Sequence, residues 1–332
     1  MEPTLRARLL LLVAGCIFGT YPVLLRALNS VGGEPLPAVF VTFARYQFLS
    51  LFVFIDRCVK RMRGPEAEKV ADSAGSGSSS VWMAGMELAA YAVAGTLLSI
   101  FGVSRVTAVT SEILSSMIHM FVPLLTLFLV GNSSCGAATW AGCILAFCAA
   151  LVSCIADQGA DSSGDGGDRL GALAIVASSF LYGLGRVRAS MLLSRGHDTA
   201  VLNASRMTNM GALSIVALVI DVACGGPSAH TLVRVHHIAA AQWVLLALSV
   251  FLSAFIAASL QFSALNVLPA ANAQPFFALQ PLFAALWSQL LLSEPITRGA
   301  LIGGALMIGA ALLACTDSTV AHEDATGKKK RM

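Results

Sequence analysis

The sequence predicts an all-α integral membrane protein, with ten transmembrane helices forming two inverted five-helix repeats and both termini in the cytosol. Three observations predict it. The 332 residues are 57% hydrophobic and only 12% charged, with mean hydropathy +0.78, where soluble domains carry about 25% charged residues. The apolar residues gather in runs near the ~20-residue length that crosses a bilayer as a helix. Lysine and arginine concentrate in alternate interruptions between those runs. The net charge of +3 is small and carries no nucleic-acid footprint, so no nucleic-acid partner is expected.

The apolar runs, in order, cover 9–28, 36–55, 83–102, 107–130, 138–156, 170–190, 202–221, 241–261, 270–292 and 299–316. The first, within "MEPTLRARLLLLVAGCIFGTYPVLLRAL", follows Arg6 and Arg8 as a signal peptide's apolar region would. It is near spanning length and lacks a small-x-small cleavage site, so it reads as a retained helix. After the second run, "RCVKRMRGPEAEKVADSAGSGSSS" (57–80) is basic and then Ser/Gly-rich, a solvated cytosolic loop over 56–82. After the fifth, "DQGADSSGDGGDR" (157–169) is acidic and Gly-rich; without the ordered ligands and terminal Glu of a calcium loop, it reads as a linker. The chain therefore divides into a first repeat (1–156), a linker (157–169), a second repeat (170–316) and a basic cytosolic tail (317–332).

Charge placement tests that division. With a cytosolic N-terminus, the inside segments hold Arg6, Arg8, Arg57, Lys60, Arg61, Arg63, Lys69, Arg186, Arg188, Arg195 and the tail cations Lys328, Lys329, Lys330 and Arg331. The outside segments and rims hold Arg26, Arg105, Arg169, Arg234 and Arg298. A wrong span count scrambles this segregation.

The two halves also echo each other. "VAGCIFGTYPVLLRAL" (13–28) is similar to "VASSFLYGLGRVRASM" (176–191), "CAALVSC" (148–154) to "GAALLAC" (309–315), and "FVPLLTLFLV" (121–130) to "LQPLFAALWS" (279–288). All three pairs fall at nearly one offset, between 158 and 163 residues. That offset carries Arg45 almost onto Arg206, so each half has an arginine in its second span. A repeat with an odd number of crossings inserts its second copy upside down, the arrangement of many secondary transporters.

These residues resemble the drug/metabolite transporter superfamily, of the EamA type. The resemblance rests on "GCIFGTYPVLLRAL" in the first span, "FARYQFLSLF" in the second, "SSMIHMFVPLLTLFLV" in the fourth, "FFALQPLFAALWSQLLLSEPIT" in the ninth and "GALIGGALMIGAALL" in the last. Ser293-Glu294-Pro295 stands where the family usually has Gly-Glu-Pro. The resemblance implies transport of small metabolites, such as amino acids, nucleotide sugars, other organic solutes or drugs. It implies that helices one to four and six to nine line a cavity, and that helices five and ten serve packing or a homodimer contact.

The candidate substrate-binding residues are Arg45, Glu112, Ser116, His119, Arg206, Asn272, Gln274 and Gln280. Arg45 lies about ten residues, or ~15 Å, from either end of its run, too deep to snorkel. A mid-span arginine costs about 2.5–3.5 kcal/mol on the insertion scale, so it faces a wet cavity or a partner. It either clamps an anionic group or serves the fold, paired with backbone carbonyls or Glu112. Arg206 is nearer the cytosolic end and can snorkel. In "TSEILSSMIHMFVP", Glu112, Ser115, Ser116 and His119 fall near one helical face. They form a cavity lining in which Glu112 or His119 carries a proton, or else an ion-paired carboxylate and a packed histidine. Glu87, with Tyr91 one turn on, suits the interface. In the ninth run Asn272, Gln274 and Gln280 offer hydrogen bonds, to substrate or to neighbouring helices, while Pro269, Pro275 and Pro281 allow kinks. Tyr21 and Tyr182 hold similar positions in spans one and six, as cavity caps or interface anchors.

No cofactor, metal or catalytic set is indicated. The eight cysteines form no C-x-x-C, and His230, His236 and His237 lack ligand spacing on a defined element. There is no G-x-x-x-x-G-K-[ST], H-E-x-x-H or G-x-S-x-G motif. Ser116 and His119 on one helix are a poor hydrolase pair. The expectation is a secondary transporter with a small-molecule substrate, coupled to protons or working by exchange, with a non-transporting scaffold on the same fold as the alternative. Gly299-x-x-x-Gly303 and Ala305-x-x-x-Gly309 give the last run a close-packing face, for a dimer contact or for packing within the chain. Asn132-Ser-Ser falls on the cytosolic side and is expected to carry no glycan. Lys329 and Lys330 fit a dilysine retrieval signal, which would assign an endoplasmic reticulum or Golgi membrane rather than the plasma membrane.

Overall fold

The computed structural model describes residues 3–31, 36–62, 79–103, 105, 114–131, 136–157, 169–292, 301–310 and 312–313. The described residues are helical nearly throughout, and no strand occurs among them. In chain order the helices are α1 (Pro3–Val31), α2 (Ala38–Met62), α3 (Ser79–Val103), α4 (Ile118–Val130), α5 (Ala137–Asp157), α6 (Arg169–Ser194) and α7 (Thr199–Ala223). There follow the short α8 (Ser228–Val233), then α9 (Ala240–Leu265), α10 (Ala270–Phe277), α11 (Gln280–Leu292) and α12 (Leu301–Ala310). Among the described residues, six helical stretches are long and apolar enough to cross a membrane: Pro3–Tyr21, Ala38–Val59, Ser80–Gly102, Arg169–Ser194, Thr199–Ala223 and Ala240–Leu265. Glu112, most of the 56–82 loop, most of the 157–169 linker, Asn132, Glu294, Gly299 and the tail with Lys329 and Lys330 lie outside the described residues.

Local sequence explains several boundaries. α6 ends where Gly196 takes φ 88° and donates to the Leu193 carbonyl, a left-handed position that glycine fills without a Cβ penalty. Two residues on, Asp198 caps α7 by accepting from the amides of Ala200 and Val201, both at 2.9 Å. The ninth apolar run does break, between α10 and α11. Pro281 has no amide hydrogen to donate to Phe277, and Leu279 bonds instead to Phe276, three residues back. Inside α9, Val250–Ala257 is a π-helical stretch; its sequence, without Pro or Gly, offers no account of why.

Of the interfaces that join the first half of the chain to the second, two run antiparallel along long helices. Along α3 and α6, Gly102 meets Ile175, Ser178 Oγ donates to the Gly95 carbonyl at 2.8 Å, Thr96 meets Tyr182, Tyr91 meets Gly185, and Glu87 meets Arg188. One index rises as the other falls, so the two helices stay in contact over most of their lengths. Along α2 and α7, Gln47 Nε2 donates to the Gly211 carbonyl at 3.0 Å and to Ser214 Oγ at 3.1 Å. A Cβ on Gly211 would displace the rotatable Ser50 Oγ and stand 3.2 Å from Ser50 Cβ, so the two helices approach closely here. α1 approaches α11 as closely. A Cβ on Gly19 would stand 2.8 Å from both the Ala284 nitrogen and Phe283 Cβ, and Trp287 Nε1 donates to the Cys16 carbonyl at 3.0 Å. One core cluster draws on both halves, with Leu11, Leu88, Val122, Val187, Leu202, Phe262, Phe276 and Met307 among its members.

The small-residue face of the last run packs within the chain. Gly309 faces Leu145 of α5, and Ala146, Ala278 and Ala310 form one cluster.

A candidate arginine-lined site

α2 extends to Met62, so Arg45 stands seven residues after Ala38, in the outer third of its helix rather than at its centre. Arg206 stands seven residues after Thr199, the same depth into the antiparallel α7. Arg45 is 8% exposed, and its guanidinium carbon lies 4.2 Å from the centroid of the Tyr21 ring, a cation–π contact. Its Nη1 is enclosed and has no hydrogen-bond partner among the described residues.

Next to Arg45 in sequence, Tyr46 is buried and its hydroxyl sits 2.7 Å from Thr96 Oγ1; the Tyr182 hydroxyl approaches the same oxygen at 2.8 Å. Thr96 donates its one hydroxyl proton to the Ala92 carbonyl at 2.8 Å. Both tyrosines must therefore donate to Thr96, which leaves their own oxygens free to accept. Tyr46 lies within electrostatic reach of Arg45, Arg206 and Tyr21, and Tyr182 within reach of Arg45, Tyr46 and Tyr21. Three of the four tyrosines, Tyr21, Tyr46 and Tyr182, thus gather around Arg45 and Thr96.

Arg206 turns inward instead of snorkelling. Its guanidinium carbon lies 4.6 Å from the Phe262 centroid, and Nη2 donates to Asn203 Oδ1 at 3.1 Å. Asn203 in turn donates to Ser259 Oγ at 3.1 Å, and Arg206 Nε is enclosed without a partner among the described residues.

A second cluster lies beside the first. Arg186 Nη1 donates to Gln274 Oε1 at 2.9 Å, and Gln274 Nε2 stands 2.8 Å from His119 Nδ1. Because a guanidinium only donates, the amide oxygen must face Arg186, and the NH2 group must donate to the histidine. Nδ1 is then an acceptor, and a neutral His119 carries its proton on Nε2. Gln274 is fully buried and His119 6% exposed, while Arg186 stacks 4.5 Å from the Phe277 centroid. Asn272 accepts from Thr139 Oγ1 at 3.3 Å, a contact between helices. Ser116 is buried in the turn before α4, and Gln280 opens α11, half-buried.

The structure corrects the sequence reading at Arg186 and supplies a partner for Glu87. The sequence places Arg186 among the cytosolic loop charges; α6 runs on to Ser194, so this arginine sits two turns inside the helix. Arg188, two residues on, points to the opposite side. It meets Glu87 through two bonds, Nε to Oε1 at 2.6 Å and Nη2 to Oε2 at 2.9 Å, with Tyr91 also donating to Oε1. Glu87 is therefore half of a bond between helices. A separate hollow of about 130 Å³, lined by Thr126, Val187, Ser190, Met191, Pro269 and Ala270 among others, contains no charged side chain.

Among curated proteins no sequence match is found. A solved chain described as "Crystal structure of protein" aligns with a TM-score of 0.70 over 93% of this chain and 96% of that one, at 16% identity, which establishes likeness of fold. The profile of the EamA-like transporter family matches residues 169–316, the stretch that supplies Arg186, Arg206 and Gln274. By that match the second half of the chain, residues 169–316, resembles the EamA-like transporter family, and its long apolar helices suit a multi-pass membrane protein.

Proposed function

We propose that the protein is a secondary transporter, not an enzyme, that carries a small organic metabolite across its membrane by alternating access. In this reading ten crossings form two inverted five-helix halves, both termini are cytosolic, and helices five and ten pack or dimerise. The antiparallel run of α2 against α7, the second helices of the two halves, supports inversion. The observation that carries the transport reading is the pair Arg45 and Arg206. They come from matching depths in the two halves, both lie within reach of Tyr46, and each keeps an enclosed donor without a protein acceptor among the described residues. Unsatisfied donors on permanent cations are costly in a scaffold and useful in a site that a ligand completes. That weighs against a non-transporting scaffold. Arg186, Gln274 and His119 extend the site, and Asn272 holds helices together.

The test is counterflow in proteoliposomes containing the purified protein. Trans-loaded metabolite pools should accelerate entry of at least one labelled metabolite, and Arg45→Gln should lower that rate at least tenfold while the protein stays folded. Well-folded protein that accelerates none of a panel of amino acids, organic acids, sugar phosphates and nucleotide sugars would favour the scaffold.

A further inference from the structure

We propose that Arg45 and Arg206 form a receptor for a small organic dianion, a phosphate monoester or a dicarboxylate, rather than for a zwitterion or a cation. The proposal rests on the transport reading for its biological use but not for its chemistry.

The first ground is charge. Arginine keeps its proton in any protein setting. The Arg45 guanidinium is covered on one face by Tyr21, and that of Arg206 by Phe262. The partners of the two among the described residues are neutral: two aromatic rings and the amide oxygen of Asn203. Among the described residues no carboxylate pairs with either. Glu87 is committed to Arg188 and Tyr91, and Asp198 to the cap of α7. Two buried cations in a helical membrane bundle call for anionic charge from elsewhere, and the ligand is the source that alternating access requires to come and go.

The second ground is donor geometry. Arg45 Nη1 and Arg206 Nε are both enclosed and without acceptors among the described residues. With their faces stacked on rings, the guanidinium groups offer their edges, the part that binds carboxylate and phosphate oxygens. The third ground is what the site accepts. The hydroxyl protons of Tyr46 and Tyr182 are spent on Thr96, so their oxygens can take O–H groups from a hydroxylated anion. Among the described residues, the ammonium of an amino acid would meet arginines and no carboxylate, and an organic cation would meet the same repulsion.

The test is ligand binding to the full-length protein in lipid nanodiscs, followed by thermal unfolding and by equilibrium titration. Succinate, 4-aminobutyrate and putrescine share a four-carbon skeleton and carry charges of about −2, 0 and +2 at neutral pH; glycerol 3-phosphate and glycerol form the phosphate arm. We expect one dianion, succinate or glycerol 3-phosphate, to bind at least tenfold more tightly than its matched zwitterion or neutral partner, and the arm that responds names the dianion. Arg45→Gln and Arg206→Gln should each weaken that binding at least tenfold, and Arg45→Lys, which keeps the charge, should weaken it less. Tighter binding of 4-aminobutyrate or putrescine, or no binding by either dianion, overturns the proposal; neither result needs a variant that folds. Transport fails separately. Dianions that bind but show no counterflow would leave the receptor standing and remove the transporter, while counterflow of a zwitterion would do the reverse.

Discussion

Glu87 and Arg188 meet through two parallel hydrogen bonds where α3 crosses α6. The pair joins the first half of the chain to the second. At roughly a quarter to a third exposed on each side, it is neither a loose surface contact nor a sealed core charge. Glu87→Gln should lower the thermal midpoint in detergent, with a loss of about 1–2 kcal/mol for a charge-assisted bond of this kind. The exchanged pair Glu87→Arg with Arg188→Glu should recover part of it. An unchanged midpoint in Glu87→Gln would mean that the pair contributes nothing to holding the halves together.

Thr96 accepts from two tyrosines at once. Thr96→Val keeps the shape and removes the acceptor, stranding the Tyr46 and Tyr182 hydroxyls at a cost of about 1–3 kcal/mol each if they stay unpaired. Thr96→Ser should be close to wild type. Thermal unfolding of both variants checks this, and equal midpoints for Val and Ser would show that the hydroxyl is dispensable.

The bond from Gln274 specifies which nitrogen of His119 carries the proton. Nitrogen-15 spectra of histidine-labelled protein should show neutral His119 protonated on Nε2. Gln274→Leu should release that preference and lower stability, because a buried hydrogen bond to a charged group, here Arg186, is worth about 1.5–3 kcal/mol. A signal from Nδ1–H in the wild type would contradict the arrangement.

Two glycines one turn apart on α1 make opposite predictions. At Gly15 an added Cβ meets the Phe276 carbonyl at 3.5 Å, ordinary contact, so Gly15→Ala should fold normally. At Gly19 it meets the backbone of Ala284 at 2.8 Å, and backbone cannot rotate away. Gly19→Ala should cost about 1–3 kcal/mol, as overpacking does, and should shift α11. Similar midpoints for the two variants would show that α1 and α11 are not held this tightly.

Much of this architecture is legible in the sequence, because hydropathy over twenty residues reports burial in lipid directly. The break in the ninth run follows from residue type alone, since Pro281 brings no amide hydrogen. Arg45 declares itself, since no apolar run tolerates an arginine without cause. Arg186 does not. It sits near a run's apparent end and two residues from Arg188, and only the tertiary fold shows that one side chain turns to Gln274 and the other to Glu87. Tyr46 and Thr96 look like ordinary span residues until α3 and α6 bring Tyr182 alongside. The hydropathy of α9 likewise gives no hint of its π-helical stretch, because an i→i+5 bond pattern leaves composition unchanged.

The equal depths of Arg45 and Arg206 have an electrical consequence. If the two halves are inverted and trade conformations during a cycle, each arginine moves to the mirror image, across the membrane midplane, of the depth that the other has left. Because the two depths are equal and lie in opposite halves of the membrane, each mirror position is the arginine's own depth, and the protein's own charge does no net work against the transmembrane voltage. Only the cargo feels the potential, at about 2.3 kcal/mol per elementary charge for each 100 mV. The unloaded return step would be electrically silent, and any current carried by the protein would count the charges of its passengers.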